Sequence, residues 1–152
     1  MLKLKGSIKI SGDKSISHRA LIFASLSTGK VKISNLLESE DVLNTLKTIK
    51  KLGIKYKKKR NVFHVEGFGL NGFNIEKNIT INAGNSGTLA RLILGLLVKS
   101  KFVVKLIGDK SLSKRDFSRV IKPLKHFGVN IKSNRNSLPI EITGSDFLRP
   151  IT

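Results

Sequence analysis

The sequence contains no cysteine and no tryptophan, and only three of its 152 residues are proline. The absence of cysteine excludes disulfide scaffolds, thiolate metal sites and cysteine nucleophiles. Apolar runs are short: the densest, residues 92–98, has seven residues with a glycine inside it, which is far below membrane-spanning length. The first ten residues alternate in polarity and lack the apolar stretch of a secretory signal. These features predict a soluble, cytoplasmic protein.

Acidic residues are also scarce, with 10 Asp and Glu against 29 Lys and Arg, which gives a net charge of +19. An excess of this kind usually suggests a nucleic-acid partner, because phosphate backbones attract Lys and Arg. The basic residues are scattered, however, and the one dense run, residues 55–60, has no aromatic platform beyond Tyr56 on which successive bases could stack. We interpret this run as a solvated edge or turn and expect neither a nucleic-acid nor a membrane partner. Positive potential also suits small anionic substrates.

An internal repeat is visible in the hydrophobic pattern. Residues 41–52 have helical spacing, with Ser39 as a candidate cap before them and Gly53 as a stop after them. Residues 117–127 have the same spacing and end at Gly128, 75 positions after Gly53. Each helix is followed by a strand, a polar turn and a second strand. Pro123 lies inside the second helix and is expected to kink or shorten it.

The two halves also begin alike. A polar loop at 11–17 precedes a short apolar helix at 19–26, and a loop at 82–87 precedes a helix at 88–98. Alternating strands follow each helix, at residues 30–36 and 102–107. The order strand, helix, strand, helix, strand, strand is therefore read nearly twice, which predicts an α/β (α+β) fold of repeated units.

The first of three chemically distinctive loops is Ser11–Arg19. It joins a strand to a helix, so free backbone N–H groups and the positive helix end face the loop. Lys14, Ser15 and Arg19 add an ammonium group, a hydroxyl and a planar guanidinium, which together suit carboxylate or phosphate. The alternative interpretation is an ordinary helix start with solvent-exposed cations.

The second loop, residues 82–88, is followed by Arg91, and its two glycines allow a ligand to approach the backbone. It matches neither a Walker A loop nor a dinucleotide fingerprint, and an ordinary turn is the alternative. The third loop, residues 108–115, ends in Arg115. Because the units repeat, we expect all three loops at one end of the structure.

The three histidines give little indication of chemistry. His18 adjoins the first loop, His64 alternates with valines in a strand, and His126 ends a basic helix. None has a partner at the spacing of a metal site, and no metal site is predicted.

Taken together, these motifs resemble those of the 3-phosphoshikimate 1-carboxyvinyltransferase (5-enolpyruvylshikimate-3-phosphate, or EPSP, synthase) family. Residues 12–20 (GDKSISHRA) are similar to the opening signature of that family. Residues 84–88 (GNSGT) with Arg91 resemble the second signature, and residues 108–115 with 119–120 and 123–124 resemble the third. Residues 138–140 and Gly144 continue the correspondence, which covers essentially the whole chain in the right order.

The resemblance implies the enolpyruvyl transferase fold, a two-domain enzyme with three βαβαββ units in each domain, a monomer when complete, with no metal or organic cofactor. Residues 1–10 would form a first strand belonging to the other domain, and residues 11–152 about two units of one substrate-binding domain. The chain would then be an N-terminal portion whose partner is the missing C-terminal part of the same enzyme. The implied reaction transfers the enolpyruvyl group of phosphoenolpyruvate to the 5-hydroxyl of shikimate 3-phosphate, with release of phosphate.

The resemblance also implies roles for individual residues. Lys14, Ser15 and Arg19 would hold shikimate 3-phosphate, with Lys14 also reaching phosphoenolpyruvate as the one candidate for direct catalysis. Gly87 and Arg115 would bind phosphoenolpyruvate. The residues that would support this second loop are Asn85, Thr88 and Arg91. A phosphonate mimic of the donor, such as glyphosate, would have to pack against Gly87.

Two departures from the family pattern and two alternatives qualify these expectations. Asp116 stands where the family commonly has proline, and the chain ends at Thr152, before the acid/base carboxylates of the second domain, so we expect no turnover by the chain alone. The sister enzyme acting on UDP-N-acetylglucosamine shares fold and donor, but its opening loop usually has Lys-Asn where this chain has Lys14-Ser15. A basic RNA-binding module built on similar repeats is the alternative from another class.

Overall fold

The computed structural model describes residues 5–8, 10–70, 73 and 75–150. Eleven helices and strands follow one another along this part of the chain, with a short 3-10 turn at Leu112–Lys114. In chain order they are α1 (Lys14–Ser25), β1 (Lys30–Ser34), α2 (Glu40–Lys51), β2 (Lys55–Lys59), β3 (Val62–Glu66), β4 (Ile79–Asn82), α3 (Gly87–Leu96), β5 (Val104–Ile107), α4 (Ser118–His126), β6 (Asn130–Asn134) and β7 (Ser137–Thr143).

The strands form two sheets with related topology. The first sheet has the order β1-β3-β2 and is antiparallel throughout, and the second has the order β4-β5-β7-β6. β5, β7 and β6 therefore repeat the arrangement of β1, β3 and β2, which confirms the repeated α/β unit. β4 pairs in parallel with β5, whereas β1 has no such neighbour among the described residues. Residues 5–8 and 10 have no regular structure, and the rest of the first ten lie outside the described residues.

Backbone conformation at matched positions supports the same repeat. Gly53 and Gly128, 75 residues apart, both follow a helix with positive φ, 94° and 99°, where a side chain would be strained. The hairpins after them turn at Arg60 and Arg135, also 75 residues apart, with φ of 53° and 48°. The two halves thus share their helix ends and turns as well as their strand order.

Each unit has its own apolar core, and helix packing joins the two. In the first unit the helices α1 and α2 pack together, and Leu21, Ile49 and Val65 of the central strand β3 belong to one buried cluster. In the second unit α3 and α4 cover the four-stranded sheet, and the core includes Ile93 and Phe117, both fully buried. Contacts of α3 with α1 and α2 connect the units.

The helix boundaries and caps differ in detail from the sequence prediction. α1 begins at Lys14 rather than Arg19, because Asp13 is the N-cap and accepts a hydrogen bond from the backbone N–H of Ile16 at 2.7 Å. Ser39 occupies the N-cap position of α2, but its hydroxyl makes no capping hydrogen bond. α3 spans residues 87–96 rather than 88–98. α4, which contains Pro123, has nine residues against twelve in α2, in agreement with the predicted shortening.

The dense basic run lies at the rim of the first sheet. Lys55–Lys59 form the edge strand β2, and residue 60 begins the turn into β3. Lys58 donates to the carboxylate of Glu38 and lies 5.3 Å from the centre of the Phe63 ring. This is the solvated edge that the sequence predicted. Within the described residues, no helix has the length and apolarity needed to cross a bilayer.

Candidate functional site

The first polar loop is shorter than predicted, so most of its functional groups stand on helix α1. Lys14 and Ser15 occupy the first turn of that helix, and Arg19 lies one turn further on. The first turn of a helix presents N–H groups without intrahelical partners, which favours anions. Lys14 and Arg19 are exposed, and Ser15 is half-buried. The ammonium, hydroxyl and guanidinium groups are therefore available near one helix start.

Helix α2 connects the first loop to the second. The Asp41 carboxylate, in the first turn of α2, accepts from Lys14 Nζ at 3.1 Å. Three residues later on the same helix, Asn44 lies against Gly84, where an added Cβ would stand 2.5 Å from Asn44 Nδ2. Gly84 also has a φ of 59°, which permits the turn into the second loop. One face of α2 thus holds the two loops next to each other.

His18 is fully buried beneath the first loop. Its Nδ1 is hydrogen-bonded to Thr45 Oγ1 at 2.6 Å, and Thr45 Oγ1 lies 3.4 Å from the Asp41 carbonyl oxygen. Nε2 is buried with no hydrogen-bond partner among the described residues. Burial lowers the pKa of His18 and outweighs the nearby Asp41 carboxylate, which raises it, while Lys14 lowers it further. The ring is therefore held neutral, and it locks α1 against α2.

Gly87, the first residue of α3, is enclosed by two guanidinium groups. A Cβ added there would lie 2.8 Å from Arg91 Nη1 and 3.0 Å from Arg115 Nη1, with Leu112 Cδ1 at 3.8 Å. The preceding residue, Ser86, caps the helix by accepting from the N–H of Leu89. The cations and the start of the helix therefore meet at a residue without a side chain, which is buried beneath them. An anion bound by the two guanidinium groups would lie next to the positive end of the helix.

Arg91 is held in place by the surrounding backbone and by an aromatic ring. Its Nη1 donates to the Gly87 carbonyl and its Nη2 to the Asp116 carbonyl, each at 3.3 Å. The guanidinium carbon lies 5.1 Å from the centre of the buried Phe117 ring, in cation–π contact. Thr88, beside it in the first turn of α3, makes no side-chain hydrogen bond in the described part of the chain. Arg91 therefore contributes a fixed positive charge next to Gly87.

Arg115 is held by the second loop. Its Nη2 donates to Asn85 Oδ1 at 3.3 Å, and Asn85 Nδ2 donates to Asp109 Oδ2 at 2.6 Å. The hydrogen bond from Asn85 is the largest of several that lower the pKa of Asp109, ahead of the one from the N–H of Leu112. Asp109 therefore stays ionised well below neutral pH, and the third loop is tied to the second.

The structure brings the second and third predicted loops into one cluster around Gly87, and α2 adjoins both this cluster and the first loop. Sequence reasoning missed Asp41 and Asn44, which it read only as residues of an amphipathic helix, and it assigned no role to Asp109. The spacing of Asp41 and Asn44, three apart on one helix face, was the available signal. Exposed cations beside two helix starts can bind a ligand that carries more than one anionic group.

Comparisons with known proteins identify the family of the chain. A family model described as EPSP synthase (3-phosphoshikimate 1-carboxyvinyltransferase) matches residues 1–151. The chain is 44% identical over 151 residues to the 3-phosphoshikimate 1-carboxyvinyltransferases of Streptococcus pyogenes serotype M2 (strain MGAS10270) and serotype M1. These alignments cover 98% of this chain and 35% of each relative.

A solved structure is similar as well. EPSP synthase from Acinetobacter baumannii superimposes with a TM-score of 0.87 at 35% identity, over 96% of this chain and 33% of that one. The chain thus spans about a third of the length of the relatives it matches. The fold, the ordered motifs and the family match lead to the same conclusion: the chain belongs to the EPSP synthase family.

Proposed function

We propose that this chain supplies substrate-binding residues of an EPSP synthase, the transferase that makes 5-enolpyruvylshikimate 3-phosphate. The observation that carries the proposal is the placement of Gly87 between the guanidinium groups of Arg91 and Arg115 at the start of α3. Family membership supports the assignment of shikimate-pathway enolpyruvyl transfer rather than another anion-binding function. Residues 11–152 would then be about two units of one substrate-binding domain.

The proposed donor site centres on Gly87 and Arg115. Phosphoenolpyruvate carries a phosphate and a carboxylate, and the bare backbone at Gly87 lets one of them approach the N–H groups of α3. Arg115 can contact it with two parallel N–H groups. Asn85, Thr88 and Arg91 shape this loop.

The proposed acceptor site lies at the start of α1. Lys14, Ser15 and Arg19 would hold shikimate 3-phosphate, with Lys14 also reaching phosphoenolpyruvate. Lys14 is half-exposed and bound to Asp41 at 3.1 Å, so the ligand would have to share it with that carboxylate or displace it. Among the residues of this chain, Lys14 is the candidate that we propose for a direct role in catalysis.

In the proposed reaction the 5-hydroxyl of shikimate 3-phosphate adds to C2 of phosphoenolpyruvate while C3 gains a proton. The resulting tetrahedral intermediate then loses phosphate and a proton from C3, which restores the C2–C3 double bond and leaves the product as an enol ether. Negative charge shifts onto the departing phosphate in this second step. Cations already fixed beside the phosphate stabilise that charge without reorganising. The groups that move the C3 proton are proposed to lie outside this chain, so we expect no phosphate release from the 152-residue chain.

A binding experiment tests the proposal. The ¹⁵N-labelled chain is titrated with phosphoenolpyruvate and with shikimate 3-phosphate and followed by NMR. Phosphoenolpyruvate is expected to shift the amides of Gly87 and Thr88, and shikimate 3-phosphate those of Lys14 and Ser15. Arg115→Ala should weaken phosphoenolpyruvate binding about 10- to 100-fold, because a charge-assisted hydrogen bond contributes about 1.5–3 kcal/mol.

Two further measurements sharpen this test. Arg149→Lys, at an exposed arginine far along the chain from the cluster, serves as the control and should bind like the wild type. A salt titration with RNA examines the alternative function: saturable binding of RNA with a steep salt dependence and no shift from either substrate would overturn the proposal.

A further inference from the structure

Asp109 uses both its backbone and its side chain to join two loops. Its N–H donates to the Gly84 carbonyl at 2.9 Å, which ties the start of the third loop to the second. Its Oδ1 accepts from the N–H of Leu112 at 2.7 Å, and its Oδ2 accepts from Asn85 Nδ2 at 2.6 Å. The two oxygens thus serve different purposes: one caps the 3-10 turn, and the other holds the Asn85 amide.

The second of these contacts determines which way the Asn85 amide points. A carboxylate accepts hydrogen bonds and a guanidinium only donates them. With Nδ2 directed to Asp109, Oδ1 faces Arg115 Nη2 at 3.3 Å. Rotating the amide by 180° would place its oxygen against the carboxylate and its NH₂ against the guanidinium, and both contacts would be unfavourable. Asp109 therefore selects the one orientation of Asn85 that can hold Arg115.

The connection holds Arg115 without a direct ion pair, although the Asp109 carboxylate is near enough to interact with its charge. Among the described residues Arg115 forms no ion pair, and the atom that holds it is a neutral amide oxygen. Lys14 differs in this respect, because it is paired directly with Asp41. A guanidinium fixed by a neutral acceptor is oriented yet still fully available to an anion.

We propose that Asp109 is a positioning residue, which acts through Asn85 to hold Arg115 for phosphoenolpyruvate; this rests on the proposed function. Asp109 itself contacts no substrate in this arrangement. The competing explanation is that Asp109 merely caps the 3-10 turn. The two explanations predict different phosphoenolpyruvate affinities for a variant that keeps the cap but exchanges donor and acceptor in the contact with Asn85.

The Asp109→Asn variant makes that separation. Its side-chain oxygen can still accept from the N–H of Leu112, which leaves its NH₂ group facing Asn85. Asn85 must then turn its oxygen toward residue 109 and its NH₂ toward Arg115. We expect phosphoenolpyruvate to bind about 3- to 10-fold more weakly, on the scale of one hydrogen bond, with the thermal midpoint and shikimate 3-phosphate binding close to wild type.

The measurement is an NMR titration of the 152-residue chain that also follows the side-chain amide of Asn85 and Nε–H of Arg115. Both signals should move in Asp109→Asn before any ligand is added. Glu141→Gln is the control, since it removes one carboxylate from the same unit, where Glu141 of β7 pairs with Lys105 of β5 at 3.3 Å within the sheet. It should bind phosphoenolpyruvate like the wild type.

A double variant tests whether the acceptor that holds Arg115 must be neutral, as the amide oxygen of Asn85 is. In Asn85→Asp with Asp109→Asn, the NH₂ of residue 109 can donate to the new carboxylate, which then faces Arg115 directly. Arg115 would be held again, but its charge would be cancelled, so we expect phosphoenolpyruvate affinity to stay low. Recovery of wild-type affinity would show that Arg115 does not need a neutral hydrogen-bond acceptor.

The outcomes for the proposed function and for Asp109 are separable. If the wild-type chain gives no saturable response to phosphoenolpyruvate, the proposed donor site is overturned. If the wild type responds and Asp109→Asn binds phosphoenolpyruvate equally well, Asp109 is only a cap.

Discussion

Lys14 Nζ lies 3.1 Å from Asp41 Oδ2, so the first polar loop is joined to helix α2 by an ion pair that spans 27 positions of sequence. The side chains are 53% and 25% exposed, which leaves the lysine within reach of a ligand. Asp41 therefore already pairs with Lys14, the cation that we propose for binding shikimate 3-phosphate. The carboxylate both orients Lys14 and competes with an anion for it.

The first prediction concerns this competition. Asp41→Asn should tighten binding of shikimate 3-phosphate about 1.5- to 5-fold, the scale of an exposed ion pair. It should also lower the stability of the chain by about 0.5 kcal/mol, because a negative charge in the first turn favours the helix. Calorimetric titration and urea unfolding measure the two effects. The control is Glu38→Gln, which breaks another exposed ion pair, the one with Lys58. If Asp41→Asn instead binds shikimate 3-phosphate more weakly, Asp41 serves more to orient Lys14 than to compete for it.

The second prediction concerns the buried ring of His18. Burial lowers its folded pKa below the ordinary value of 6.5, so the unfolded chain binds a proton more readily than the folded one. The contribution of His18 to stability is thus complete above pH 6.5 and is lost as the pH falls toward the lowered pKa. The free energy of unfolding should decrease between pH 7.5 and 5.5. His18→Gln should reduce that slope.

A matched control is the exposed His126, since the variant His126→Gln should keep the slope of the wild type. Urea unfolding at a series of pH values supplies the measurement. Identical slopes in wild type and His18→Gln would mean that His18 is not the group responsible.

The third prediction concerns Gly87→Ala. The new methyl group would stand 2.8 Å and 3.0 Å from the guanidinium groups of Arg91 and Arg115, so these flexible ends must move outward. We expect a phosphonate mimic such as glyphosate to lose more affinity than phosphoenolpyruvate, because it must pack against this position. Gly95→Ala on the same helix is the control, since a Cβ there meets nothing within 4 Å. Unchanged glyphosate affinity in Gly87→Ala, by competition binding, would refute the prediction.

The fourth prediction concerns the ring beneath Arg91. Phe117 is fully buried, and Phe117→Ala should cost about 3–5 kcal/mol of stability through the cavity it leaves. The loss of the cation–π contact should also loosen Arg91 and weaken phosphoenolpyruvate binding in the fraction that stays folded. Phe147→Ala, at a ring that is 87% exposed, should change neither property. Chemical denaturation followed by circular dichroism distinguishes the two variants.

Much of the fold could be predicted because its signals are local. Helical periodicity gave α2 and the second long helix, and the matched Gly53 and Gly128 revealed the repeat that the sheet orders confirm. All three loops were expected at one end of the structure because the units repeat. The parallel pairing of β4 with β5 is what brings the second and third loops together.

The predicted start of α1 was wrong because its first residues are held by contacts with distant parts of the chain. Its first residues are polar, which resembles a loop, but Ser17 and His18 are buried between helices. Ser17 accepts from the N–H of Leu37 and donates to the Asp13 carbonyl, while His18 bonds to Thr45. Polar residues satisfied by partners 20 and 27 positions away leave no periodic pattern in the sequence.

The contacts around Arg115 were unpredictable for the same reason. Asn85 lies 24 residues from Asp109 and 30 from Arg115, and only the parallel pairing of β4 with β5 brings the two loops together. The sequence identified cations that can bind an anion. The groups that hold Arg115 in position, Asn85 and Asp109, could be recognised only from the structure.

Within the part of the chain that the structure describes, one side of β1 has no paired strand, and this affects how copies of the chain behave toward each other. An edge strand without a neighbour offers its backbone groups to any other extended segment, and the upstream Ile8 and Ile10 are 87% and 71% exposed. Lys30 and Lys32 on that strand, with the large net positive charge, keep copies apart by electrostatic repulsion. Salt screens that repulsion. The chain should therefore remain dispersed in dilute buffer and self-associate at high salt concentration.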